Sequence, residues 1–280
     1  MNHIEIVQPC ITLLYDLPTL TLPDAFELAG GIAAVEGSPH IENIQVDISV
    51  NQGDKLLAKL RFDDHTVRLI GGSLKIPEEI VQQAIDSTHW TEAVKTTLKR
   101  HQSQIVLTYA GSSNPLEKMI ALYKTAHALQ NEHLLGIVNE PAWTSHPVKD
   151  TLDPQLIRSY RESIPFILWF GYIKIPLDQE NFWLMTRGQH VFGLPDLVSL
   201  CQPGTNPAEV MNNFFNVFYY LYQSGAQVSL GDTLEIGSGA EPLRFAELPE
   251  LPEFSDLKLE SKQVLLLEKI DRSETNKDSI

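Results

Sequence analysis

The sequence predicts an α+β fold, with mixed, largely antiparallel sheets, packed helices and two α+β halves of similar style. Two observations lead there. Between residues 44 and 70, short apolar runs with two-residue alternation follow one another through turn residues, an antiparallel meander that excludes a purely parallel sheet. Around residues 105–138 and 207–223, capped helices stand between strands, which adds packed helices to those sheets.

Residues 4–15 are rich in Ile, Val and Leu and stop short of Pro18, which reads as a first strand. Pro23 opens a helix whose acids Asp24 and Glu27 face its positive end, and its stop is marked by Gly30-Gly31 or by Gly37-Ser38-Pro39. Ile44, Val46, Ile48 and Val50 alternate with polar residues as a strand with one wet face. Residues 51–54 form a turn, and residues 56–62 and 67–70 make a hairpin about Asp63-Asp64-His65. Pro77 opens a helix with Ile80, Val81, Ala84 and Ile85 on one face, and a second helical stretch covers 91–101. Residues 105–110 form a strand. Asn114-Pro115-Leu116-Glu117 then caps and opens a helix that runs to Gln130, and 134–138 is the next strand.

Pro141 and Pro147 make the following stretch a connection between halves. The expected domains are an N-terminal half over 1–140, a connection over 141–165, a C-terminal half over 166–270 and a flexible polar tail over 271–280. In the second half, 166–175 and 182–186 read as strands and a loop runs on to Pro207. A helix over 207–223 is capped by Asn206 and closed by Gly225, and short strands follow around Val228 and at 233–236, 243–245 and 264–268.

The formal charge is −15, from 36 acidic against 21 basic residues. Such a surface repels phosphate backbones and anionic headgroups, so neither nucleic acid nor membrane is expected as a partner. A basic protein is the partner that long-range attraction favours. The longest apolar runs, 165–172 and 214–222, fall well short of the roughly 20 residues that span a bilayer. The first residues carry no basic n-region and no apolar h-region, and Cys10 and Cys201 stand outside any paired spacing. Both point to a cytoplasmic protein with reduced thiols.

Reactive signatures are missing from the sequence. No G-x-x-x-x-G-K-[ST] occurs, and Gly71-Gly72-Ser73 lacks the lysine a triphosphate needs. No G-x-G-x-x-G follows a strand, and Gly237-Ser238-Gly239-Ala240 reads as a turn and not as a nucleophile elbow. No two histidines fall in H-x-x-x-H spacing. No catalytic residue, metal ligand or cofactor is therefore predicted. Cys201 near His190 reads as a small buried hydrophobe, because no basic cluster would lower its pKa. Trp143, Trp169 and Trp183 are candidates for a pocket wall, with core packing the simpler reading.

The run Thr186-Arg187-Gly188-Gln189-His190-Val191-Phe192-Gly193-Leu194-Pro195-Asp196 resembles a T-x-G-x-x-x-F-G-L-P-[DE] pattern, and Gly231-Asp232-Thr233-Leu234 is similar to a later G-D-T segment. Both resemble a widespread bacterial family catalogued as a domain of unknown function, the DUF4261-like group. Thr12-Leu13-Leu14-Tyr15 and the strand–helix unit at 105–129 look like the same family. The resemblance implies a bacterial α+β protein and carries no functional residue with it. Physically, Gly193 permits a positive φ and Pro195 fixes the exit of a turn. Arg187 and Asp196 are then placed to pair with each other or with a ligand, the pair being the favoured reading. Arg187, Asp196, Trp143 and Asp232 are the candidate residues for binding a partner or ligand.

The leading functional expectation is a non-catalytic acidic protein-binding module, of inhibitor, immunity or adaptor type. The tract over 241–254 mixes acids with apolar residues, either as an arm on a partner or packed on its own core. The alternative is a hydrolase-like enzyme whose site gathers scattered Asp, His and Arg residues. Residues 212–222 read as a helix apolar nearly all round, buried or shared with a second subunit, which leaves monomer and homodimer both open.

Overall fold

A computed structural model describes residues 8–37, 44–52, 55–237, 241–249 and 264–271. The chain is an α+β protein built as two compact units, one covering residues 8–169 and the other beginning at Phe170.

The first unit runs β1 (Cys10–Tyr15), α1 (Ala25–Glu36), β2 (Gln45–Gln52), β3 (Lys55–Phe62), β4 (His65–Gly72), α2 (Glu78–Val81) with a π-helical turn at Gln82–Asp86, and α3 (Glu92–Lys99). It continues through β5 (Ser103–Tyr109), α4 (Pro115–Ala128), β6 (Leu134–Asn139), β7 (Thr144–Pro147), α5 (Pro154–Ser159) and α6 (Phe166–Trp169). Its sheet has the order β2-β3-β4-β5-β1-β6-β7 and is antiparallel at every pairing. The β5–α4–β6 segment is a crossover split by β1, which pairs with both of its strands.

Local chemistry accounts for these elements. Asp24 accepts from Glu27 N at 2.8 Å while Glu27 reaches back to Asp24 N at 3.1 Å, a reciprocal cap that starts α1. Gly37, at φ 67°, ends α1, and Arg158 donates to the last-turn carbonyls of Val35 and Ala34 at 2.8 and 3.2 Å. Gly30 and Gly31 therefore lie inside the helix, and Gly31 has a packing reason to be there. A Cβ on it would sit 2.6 Å from the Ala128 Cα, so the absent side chain lets α1 press onto α4. Asn114 caps α4 through Glu117 N at 3.0 Å. Between α1 and α4 the buried Lys124 ammonium pairs with Glu36.

Two segments of the first unit differ from the sequence reading. Residues 166–169 form a helical turn and not a strand, because Pro165 leads a turn closed by Leu168 N and Trp169 N onto its carbonyl at 2.9 and 3.1 Å. That turn buries Phe166 and Trp169 together and leaves Ile167 exposed, which strand alternation would not do. Trp169 then packs against Tyr160 and Tyr123, at centroid distances of 5.1 and 5.9 Å. The stretch over 141–165, read from its prolines as a connection, carries β7 paired to β6 and all of α5, and the division between units falls at 169/170.

The second unit runs β8 (Gly171–Pro176), β9 (Phe182–Arg187), β10 (Asp196–Cys201), α7 (Pro207–Ser224), β11 (Thr233–Leu234), β12 (Leu243–Ala246) and β13 (Val264–Lys269). Its sheet has the order β11-β12-β13-β10-β9-β8, parallel between β10 and β13 and antiparallel elsewhere. Both units are α+β, but their strand orders differ. β10 lies where the sequence reading has a loop. Its run Leu197-Val198-Ser199-Leu200-Cys201 is nearly all apolar because it is flanked by β9 and β13 and almost wholly buried, so no alternation marks it. No strand forms at Val228, which packs against the unit's core instead.

α7 is capped by Asn206 and closed by Gly225 at φ 67°. It buries Val210, Phe214, Val217, Phe218 and Leu221 on one face and leaves Phe215 exposed, so it is not enclosed all round. Part of the 241–254 tract packs on its own core: Leu243 and Phe245 of β12 are buried there. Residues 250–254, like the expected tail beyond residue 271, lie outside the described residues. No helix among the described residues is long and apolar enough to cross a membrane.

Gly30 and Gly31 provide a paired test of the α1–α4 approach. Gly31→Ala should destabilise the protein by about 1–3 kcal/mol, because the added methyl meets backbone. Gly30→Ala, whose Cβ would meet nothing within 4 Å, should stabilise it by about 0.5–1 kcal/mol through helix propensity. Urea midpoints of the two variants check the sign of each.

Candidate functional site

The run from Thr186 to Asp196 is the β9–β10 connection. Gly188 at φ 111° takes the chain off β9 into a 3-10 turn over Gln189–Phe192, and Gly193 at φ 73° ends that turn. Both positions use the left-handed region that glycine enters without strain. Asp196 then begins β10 with its side chain wholly buried. Its Oδ1 accepts from Gln189 N at 2.9 Å, and its Oδ2 accepts from His190 Nδ1 at 2.8 Å. Arg187 Nη1 stands 3.5 Å from the same Oδ2. Beside them the Thr186 hydroxyl accepts from Leu197 N at 2.8 Å and from Gln189 Nε2 at 3.1 Å.

Arg187 and Asp196 are thus brought together, and His190 joins them. Since a carboxylate only accepts, Nδ1 of His190 carries the proton of that bond, and the tautomer is set. With both Asp196 oxygens engaged and Thr186 already accepting twice, this cluster locks a turn; it presents no nucleophile with a base at its side. His190 was within reach of the sequence, six residues before Asp196 across a Gly-Leu-Pro turn.

Asp232 has a turn role of its own. Its Oδ2 accepts from Ser229 N at 2.7 Å and its carbonyl from Phe245 N at 2.9 Å, which ties the entry of β11 to β12. It lies at the far side of the sheet from Asp196, with β12 and β13 between. Trp143 belongs to the first unit, half-buried, with φ 51° after the 3-10 turn at Glu140–Ala142. Trp169 is core, and Trp183 is the tryptophan that lines a cleft.

That cleft opens in the second unit where β10 and β13 part. The two strands pair only from Asp196/Val264 to Val198/Leu266. Beyond, β10 stays with β9 and β13 stays with β12, and a cavity of about 620 Å³ opens between them. Ser199 Oγ bridges the base of the split by donating to Leu267 O at 2.7 Å. Trp183, Leu243 and Val210 form apolar walls, and the loop 202–206 with Glu209 and Asn213 of α7 supplies polar ones. At its rim Lys269 pairs with Glu209 and Glu241 at 2.7 and 2.8 Å, and Arg244 pairs with Glu268 at 2.8 Å. Three carboxylates thus face two cations.

No family model, curated protein or solved structure matches the chain.

The remaining chemical groups are built for burial. Among the described residues no group of His, Cys, Asp and Glu side chains is arranged to hold a metal ion. Desolvation raises the Cys201 thiol, and burial with the nearby Glu140 charge pushes Cys10 up to about 11. Cys201 and His190 do not form a pair: the histidine is held at the start of β10, and five residues of strand, about 16 Å, separate Asp196 from Cys201. In the first unit His146 is fully buried on β7, with Nε2 3.3 Å from Thr144 Oγ1, and desolvation lowers its pKa to about 4.

Two expectations follow from these burials. Asp196→Ala leaves His190, Arg187 and Gln189 N facing a void, and should lower stability by about 3–5 kcal/mol in urea unfolding. Asn at the same place keeps an acceptor oxygen and should lose less. His146 binds its proton in the unfolded chain near pH 6.5 but in the folded one only near pH 4, so stability rises with pH between those values. The histidine's contribution, about 3 kcal/mol from the size of the shift, is complete above pH 6.5 and lost as pH falls towards 4. His146→Phe should flatten that part of the stability–pH curve.

Proposed function

We propose that this chain is a non-catalytic binding protein whose cleft between β10 and β13 takes an extended, basic segment of a partner protein. The observation that carries the reading is the parting of two parallel strands over a cavity of about 620 Å³. Such a cavity is large enough for several side chains. Its apolar walls suit aliphatic anchors, and the excess of carboxylate at its rim suits Lys or Arg. The −15 charge of the whole chain draws a basic partner towards it. A role as inhibitor, immunity factor or adaptor is consistent with this chemistry, as is membership of the DUF4261-like group.

The alternative, a hydrolase with scattered Asp, His and Arg residues, has one convergence in its favour, at Asp196. In that cluster both Asp196 oxygens are taken by Gln189 N and His190 Nδ1, and none of its members lines the cleft. The binding reading is the better supported.

The test is titration of the full chain with a capped peptide of alternating Lys and Val. Binding should weaken by about tenfold or more as salt rises from about 0.05 to 0.5 M. It should fall as far in Glu268→Lys, which turns the rim charge, and in Asn213→Trp, which fills the cavity from α7. Affinity unmoved by both substitutions would place any binding elsewhere and remove the proposal.

A further inference from the structure

The sheet of the first unit is treated differently at its two ends. On one face Ala58 of β3, Leu69 of β4, Leu107 of β5 and Ile11 of β1 form a buried cross-strand row. Helix α4 closes that side, where Tyr15 donates to Leu129 O at 3.2 Å. On the other face, the β1–β6 end is closed by the α2–α3 layer: Leu14 and Val138 pack with Val81, Ala84, Ile85 and Leu98. The layer stops there. Across β2, β3 and β4 the same face continues with Val50, Leu57 and Ile70 directly opposite one another, 37%, 42% and 50% exposed.

Alternation along β3 and β4 puts cations around this apolar row. Lys55, Lys59 and Arg61 share its side of β3, and Arg68 shares its side of β4. Asp47 of β2 answers Arg61 at 2.6 Å, and no ion pair to Lys55, Lys59 or Arg68 forms among the described residues. Lys59 and Arg68 stand directly opposite in the ladder. Like charges so placed weaken a sheet until an anion lies between them. A patch with four cations and one carboxylate is thus set into a chain of net charge −15.

The geometry points to a second docking surface here, for an acidic amphipathic helix of a partner protein. Such a helix would extend the α2–α3 layer over the open part of the face. Its apolar side chains would cover a row about 10 Å long, from the strand spacing, and its carboxylates would meet Lys59 and Arg68. A second copy of this chain docking symmetrically through the patch would set cations against cations, and a nucleic-acid backbone gains nothing from Val50, Leu57 and Ile70. An acidic, apolar-faced protein segment satisfies both features. This surface belongs to the first unit and does not rest on the cleft.

The probe is a capped, fluorescently labelled peptide of Ala, Glu and Leu with its leucines on one helical face, titrated into the full chain. Binding should weaken by about tenfold or more in the double variant Lys59→Glu with Arg68→Glu, and as far in Leu57→Asp. Because Leu57 and Arg68 are exposed and Lys59 is half-buried on the open face, both variants should keep the parent Tm within a few degrees. The same peptide with its leucines scattered should bind about tenfold more weakly, and Glu268→Lys in the cleft should leave the affinity unchanged. Equal affinity for the scattered peptide would overturn the proposal by reducing the patch to a charge attractor. So would binding of a DNA duplex that both variants abolish, or peptide binding that neither variant moves.

Discussion

The second unit hangs on one buried carboxylate. Asp196 gathers Gln189 N, the His190 imidazole and the Arg187 guanidinium around its two oxygens, and so fixes the turn that delivers β10 between β9 and β13. A charge taken wholly out of water is tolerated only with such compensation. The direction and register of β10 follow from the turn. The cleft follows in turn, because it is the place where a β10 committed to β9 leaves a β13 committed to β12. The run of turn residues from Thr186 to Asp196 thereby acts at a distance from itself: it builds the frame in which the cavity lies, and its own side chains do not enter it.

The first unit shows the complementary arrangement, in which the sheet is enclosed from both sides over only part of its width. α1 and α4 are pressed together through Gly31 and Ala128 and held by Lys124 and Glu36, and α4 covers one face. On the other side the helical layer reaches only as far as β1 and β6. The uncovered remainder is apolar at its centre and cationic at its margins. The two units thus carry surfaces of opposite chemistry, an acidic cleft and a basic face, which a net charge summed over the chain conceals.

Much of the fold was legible in the residues. The hairpin about Asp63, the helix opened at Asn114-Pro115 and the helix between Asn206 and Gly225 all announce themselves through local chemistry: alternation, a side chain that reaches the first free N–H groups, a glycine free to adopt positive φ. The pairing of Arg187 with Asp196 was legible for the same reason, since a short turn with Gly and Pro must return its ends to one another. β10 was hidden because a strand buried on both faces loses its polar alternation. The helical turn at 166–169 was hidden because the unbroken apolar run over 165–172 has no polar residue to mark a period, and the burial of Phe166 and Trp169 decided it.

Of the candidate cleft, Trp183 alone was legible, as one of three tryptophans that could wall a pocket. Trp183, Ser199, Glu209 and Lys269 are scattered along the chain, and only a parallel pairing between strands more than sixty residues apart brings them round one cavity. By itself the sequence determined the α+β class, the caps and turns that bound its elements, and an acidic surface, because these depend on neighbours within a few residues or on composition. Tertiary structure alone decided which strands adjoin, where two of them part, and which sheet face stays open. Those outcomes depend on side chains meeting across long separations, and no local spacing encodes that.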